Sequence, residues 1–186
     1  MTTSRCSTVL SLGAVALLAA APGAVRSARA AEPDADPPRA VRVFYLQGMD
    51  ATEGTRLLRS QVRVRALATI ERRNAVVVSD SADQVVHGEA LLRDRGALAR
   101  TVEPHAPLDL ERLAEGPQVG GVFRVAAEEV PTALGLLRSI YGIRELAELG
   151  EGGGISARAA RPVLDAAEAL LTELGFEAGP AAKVAD

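Results

Sequence analysis

The sequence repeats itself at an offset of 79 residues, and this repeat narrows what the chain can fold into. Phe44 aligns with Phe123, and Leu57, Leu58, Arg59 and Ser60 align with Leu136, Leu137, Arg138 and Ser139. Arg65, Leu67 and Ala68 align with Arg144, Leu146 and Ala147. Glu89, Ala90, Leu91 and Leu92 align with Glu168, Ala169, Leu170 and Leu171, and Gly96 aligns with Gly175. From 44 to 96 there are 13 identities in 53 positions without a gap. Leu and Ala pairs arise by chance in a chain this rich in them. A constant offset that also carries Phe, Ser, Arg and Gly is the mark of duplication.

What flanks the repeat reads as an address. Arg5 supplies a positive start, an apolar run extends from Val9 to Ala21, and Ala28-Arg29-Ala30 has the form of a cleavage site. Residues 1–30 are therefore expected to be a secretory signal peptide. The run is shorter than the roughly 18–20 residues of a spanning helix, so no membrane span is expected after cleavage. Cys6 precedes the apolar run, unlike the cysteine of a lipoprotein. Cleavage would remove Arg5, Arg26 and Arg29 but no acid, taking the net charge from −3 to −6. It would also remove the only cysteine, so the exported chain, periplasmic or secreted and soluble, would depend on packing instead of disulfides. A unit this small buries a marginal core. The copies are expected to pack on each other, on a partner, or by self-association.

Residues 31–40, with three prolines and three acids, read as a disordered spacer. The first unit then spans 41–96. Val41 to Gln47 reads as a strand, and Asp50 with Glu53 as a capping box. Ala51, Thr55, Leu58 and Val62 give an amphipathic helix. Residues 63–70 and 75–79 form a hairpin around a turn at 71–74, and Ser81 with Gln84 makes a second capping box before a helix through Leu92. Gly96 is its stop. The order is βαββα, which predicts an α+β fold of two such units, each a three-stranded sheet with two helices on one face. Residues 97–118 are expected to be a linker holding one short helix at 108–114. The second unit runs over 119–176, with Pro131 in the first turn of one helix and Arg161 and Pro162 opening another. Residues 177–186 read as a flexible tail.

Catalytic chemistry finds little to build on. His87 and His105 lack companions with metal-ligand spacing and read as solvated surface residues. Asp80 and Asp83 bracket a helix start, where acids are favoured, and Glu89 recurs as Glu168, which marks it as structural or interfacial. The Gly-rich run at 150–154 lacks the Lys and Ser/Thr of a phosphate loop and reads as a hairpin turn. The βαββα order is shared with nucleic-acid-binding KH units, but no G-x-x-G joins two helices and the exported chain is acidic, so nucleic acid is set aside. No enzyme, no cofactor and no metal is expected. Arg63, Arg65, Arg72, Arg73 and Asn74 concentrate basic and polar groups around one hairpin of an acidic protein. They are read either as a solvated face or as the contact patch for an acidic partner.

These residues carry a family resemblance. The strand 43–46 ends in Leu, Ala51 opens a helix with Leu57 and Leu58, and the turn Glu71-Arg72-Arg73-Asn74 precedes a valine strand. This resembles the periplasmic N-domains of secretins, moderately specifically across the first unit. The second unit keeps the hydrophobic frame but has glycines where the Asn-containing turn would stand. Only about ten residues follow its last helix, so no counterpart of a secretin's pore-forming region is expected. The resemblance implies βαββα modules that contact neighbouring components of a secretion or pilus machine. For this chain it implies a non-enzymatic adaptor or accessory whose partner is an envelope protein such as a secretin or pilus component. The alternative is a periplasmic small-ligand sensor with its site where the sheets meet, closed by the 150–154 loop.

Overall fold

In the computed structural model, which describes residues 37–150 and 153–176, the repeat reappears as geometry. The first unit runs β1 (Arg39–Leu46), α1 (Ala51–Leu57), a wider helical turn (Leu58–Val62), β2 (Ala66–Ile70), β3 (Ala75–Ser81), α2 (Ala82–Asp94) and β4 (Leu98–Val102). A short helix α3 (Leu110–Ala114) leads to the second unit: β5 (Gln118–Phe123), α4 (Val130–Tyr141), β6 (Glu145–Glu148), β7 (Ile155–Ala160) and α5 (Arg161–Glu173). β1 and β5, β2 and β6, and α2 and α5 each begin 79 residues apart. Both last helices stop at a left-handed glycine, Gly96 at φ 65° and Gly175 at φ 62°. The expected signal peptide, the spacer up to residue 36 and the tail 177–186 lie outside the described residues.

The α+β class is as expected, with two antiparallel sheets ordered β2-β3-β1-β4 and β5-β7-β6. Several local expectations need correction. The stretch predicted as linker contains β4, so the first sheet has four strands; an edge strand, half covered, needs little apolar alternation to announce it. Arg39 and Ala40 belong to β1 and not to the spacer. Asp50 caps α1 by accepting from the Glu53 N–H at 2.7 Å, but the Ser81 side chain makes no capping bond. The neighbouring Asp80 is 5% exposed and accepts from the N–H groups of Arg65 and Ser81, both at 2.7 Å, which ties the start of β2 to the end of β3. The second unit keeps all three strands, joined through Gly153 and Gly154. A Cβ on Gly153 would lie 2.3 Å from the Val125 carbonyl, which is why the turn is glycine.

Strand alternation puts β1 and β3 into two cores at once. Phe44, Leu46, Val76 and Val78 pack with Leu58, Val85 and Leu92 beneath the first unit's own helices. Val41, Val43, Ala75 and Val77 face the other way, into the core of the second unit. There α4 packs against β2 and β3, while α5 packs against β5 and β7. The helices of the second unit therefore lie between the two sheets, and the layers run helix, sheet, helix, sheet.

The two copies differ where this stacking requires it. On α4, Leu136 and Ile140 are buried where the first unit has half-buried Leu57 and exposed Gln61. On α5 and at its C-cap, Val163, Ala166 and Leu174 are buried where the first unit exposes Gln84, His87 and Arg95. Each such side chain adds about 1.5–3 kcal/mol of burial if large. Conversely, Val41, Val77 and Ala66 have Gly120, Ser156 and Glu145 as counterparts on the outer face of the second sheet, where no layer follows among the described residues. The terminal faces are polar, as in capped repeat arrays.

Candidate functional site

The basic hairpin is two sites. β2 separates Arg63 and Arg65 from Arg72 and Arg73, a span on the order of 20 Å at ~3.3 Å per residue. At one end Arg63 and Arg65 line a cavity of about 190 Å³ with Arg39, Asp80 and Gln84. At the other, Arg72 and Arg73 line one of about 310 Å³ with Glu128, Glu129 and Phe176 of the second unit.

Much of the predicted patch is engaged within the molecule. Arg73 lies 3.6 Å from Glu129, with its guanidinium 5.4 Å from the Phe176 ring centroid. Arg72 reaches Glu129 at 3.8 Å but keeps a side chain 67% exposed. Asn74 adopts φ 45° at the turn, and its amide donates to the Leu46 and Met49 carbonyls at 3.0 and 2.9 Å. Its work is to tie the hairpin turn to the end of β1. Arg63 is exposed and left-handed at φ 59°, its N–H donating five residues back to the Leu58 carbonyl.

Three further side-chain groups join elements distant in sequence. Glu89 is held by Arg42 at 2.5 Å and Arg93 at 2.6 Å, fixing α2 to β1, as its structural reading requires. Tyr45 donates to Glu173 at 3.1 Å under the Arg100 guanidinium, which pairs with the same carboxylate at 2.7 Å. Burial, more than the opposing Arg100, raises the Tyr45 pKa. His105 corrects the surface reading: it is half-buried, with Nε2 2.7 Å from the Tyr141 hydroxyl. That hydroxyl donates to the Ala166 carbonyl at 2.9 Å, and burial drives the Tyr141 pKa far up. His87 is exposed, as expected.

Two features were not foreseen. The first is a groove of about 580 Å³ between α3 and the start of α5, with Arg39, Arg144 and Arg158 among its walls. It lies at the Glu145–Arg158 end of the β6–β7 pair, opposite the glycine turn that was expected to close a ligand site. The second is an open edge on β5. β1 is flanked by β3 and β4, whereas β5 pairs with β7 alone among the described residues. Aligning the two units shows both features, because each is a position where one copy lacks what the other has.

The backbone facing that edge can be named. Arg39 exchanges bonds with Leu108 at 2.8 and 2.9 Å and Gln47 N–H donates to Ala97, both on the β4 side, while Leu46 N–H donates to Asn74 on the β3 side. Alternation then points Arg39, Val41, Val43 and Tyr45 toward β4. Their counterparts Gln118, Gly120, Val122 and Arg124 point to the open side of β5.

Among the described residues no cluster of three or more His, Cys, Asp or Glu could hold a metal ion, and no helix is long and apolar enough to cross a membrane. No family model matches the chain, and no curated protein matches it.

Proposed function

We propose that this chain is a non-enzymatic protein-interaction module of secretin N-domain type, an exported adaptor or accessory of envelope secretion or pilus machinery. It engages its partner by accepting an extended strand on β5. One observation carries this reading. The first unit already holds a fourth strand, β4, antiparallel on β1, with Val43 opposite Val102 and Tyr45 opposite Arg100. The second unit presents the same backbone edge without that strand. The occupant is an extended, largely uncharged segment of an envelope protein, because β5 carries no charge and has exposed Val119 and Gly120 along it.

Backbone amide exchange is the direct check. Val43 and Tyr45 should exchange slowly, and Val122 and Arg124 fast; slow exchange of both pairs in the isolated chain would show the edge already filled. Val122→Pro removes an outward N–H without removing a ladder bond to β7. Affinity purification from an envelope extract should recover a secretin or pilus component with the parent chain and not with this variant. Equal recovery by both would rule out the β5 edge.

A further inference from the structure

Asp80 and Ala159 are counterparts 79 residues apart, and between them a carboxylate has been lost. In the first unit the Asp80 carboxylate is nearly buried and accepts from the Arg65 and Ser81 N–H groups at 2.7 Å each. The second unit keeps the arginine, as Arg144, and places Ala160 where Ser81 stands. It thus lacks both the acid and the adjoining hydroxyl. Ala159 is smaller than Asp by one carboxylate group, and no acid of the chain stands in its place. Arg144, Ala159 and Ala160 all line the groove of about 580 Å³.

The groove has what a ligand carboxylate requires. Among the described residues neither Arg39 nor Arg144 makes an ion pair, and Arg158 approaches Glu145 only at 3.9 Å. Its remaining walls are mixed: Leu110 and Leu113 from α3 with Ile143 and Val163 supply an apolar part, and Gln118, Ser139 and Tyr141 a polar one. The volume falls in the range of small-molecule sites, which pair apolar walls with a few polar anchors. Glu111 and Glu145 also line it. They leave a small positive excess, which favours one negative charge and repels a polyanion.

We infer that this groove binds a small monocarboxylate with an apolar body, its carboxylate taking in the second unit the place that Asp80 fills in the first. Arginine and backbone N–H groups hold the acid, and the aliphatic walls cover the tail. This site is independent of the β5 edge, and either can fail without the other.

Thermal-shift and calorimetric titration of the purified chain with octanoate tests it, beside octanamide, acetate and inorganic phosphate. Octanoate should raise the melting temperature; the uncharged amide and phosphate should not, and acetate should bind at least tenfold more weakly than octanoate. Ala159→Asp should supply the missing acid from within, raising the melting temperature without ligand and abolishing the octanoate shift. Arg144→Ala, an exposed position outside the core, should fold normally and bind octanoate at least tenfold more weakly. Equal shifts by octanoate and octanamide, binding of phosphate in preference, or undiminished octanoate binding by folded Ala159→Asp or Arg144→Ala would each overturn the assignment. So would the absence of octanoate binding by the parent chain.

Discussion

Arg63 and Gly142 occupy the same left-handed turn in the two units, at φ 59° and 66°, each just past the helix that follows the first strand. Glycine adopts this backbone without cost, whereas an L side chain is strained there by about 1–2 kcal/mol. The first unit thus keeps an exposed arginine against its backbone preference, and such residues cluster at functional sites.

Arg63→Gly should therefore leave stability unchanged or raise it by up to ~1 kcal/mol, relief of strain being partly offset by glycine's unfolded-state entropy. Urea denaturation measures this. A clear loss of stability would mean the arginine side chain is structural.

The stack makes a second prediction at Ile140, 1% exposed where the first unit has exposed Gln61. Ile140→Gln loses apolar burial and places an amide in the shared core, costing about 2–5 kcal/mol. Gln61→Ala should cost less than ~0.5 kcal/mol. Because the valines of β1 and β3 belong to the second unit's core, both units should melt in one transition. Two separable transitions would refute the shared core.

The hairpin arginines should part company. Arg72→Glu, at an exposed side chain, should cost only a few tenths of a kcal/mol. Arg73→Glu loses the Phe176 contact and sets a second carboxylate beside Glu129, costing about 1–2 kcal/mol. Asn74→Gly keeps the left-handed turn but loses two hydrogen bonds, about 1–3 kcal/mol. Equal effects of the two arginine reversals would show that Arg73 does not pack as described.

Alkaline pH should expose both tyrosines. Tyr45 and Tyr141 have folded pKa values raised above the ordinary 10.0, chiefly by burial. The folded chain keeps protons that the unfolded chain releases, so this stabilisation is complete below about pH 10 and declines as pH rises beyond it. For Tyr141 the slope is ~1.4 kcal/mol per pH unit. Phenolate absorbance should appear together with unfolding, and Tyr141→Phe should flatten the decline. Phenolate titrating at the ordinary pH in the folded chain would contradict the burial.

The repeat made most of the secondary structure legible: strands with apolar residues on both faces, helices bounded by a capping aspartate and a stopping glycine. β4 escaped because Leu98 to Val102 is short and has one strongly charged member, Arg100, among prolines further on. The candidate patch was legible as residues but not as a place. Five residues close in sequence read as one surface, while a strand between them carries Arg63 and Arg65 to one end and Arg72 and Arg73 to the other. His105 gave no sign of Tyr141, 36 residues away.

Local patterning was enough to define the βαββα order common to both units, the side chains each turns toward its own helices, and the glycine stop at Gly96. Those follow from backbone periods of 2 and 3.6 residues, which act locally and leave a regular imprint. Only the tertiary structure decided that the second unit's helices lie on the first unit's sheet, with polar outer faces at both ends of the stack. Contacts such as those of Val43 and Val77 with the α4–α5 core join residues far apart in the chain and leave no local period. Their trace is confined to positions where the copies differ, such as Gln61 and Ile140 or Asp80 and Ala159. Such differences gain meaning once it is known what each position faces.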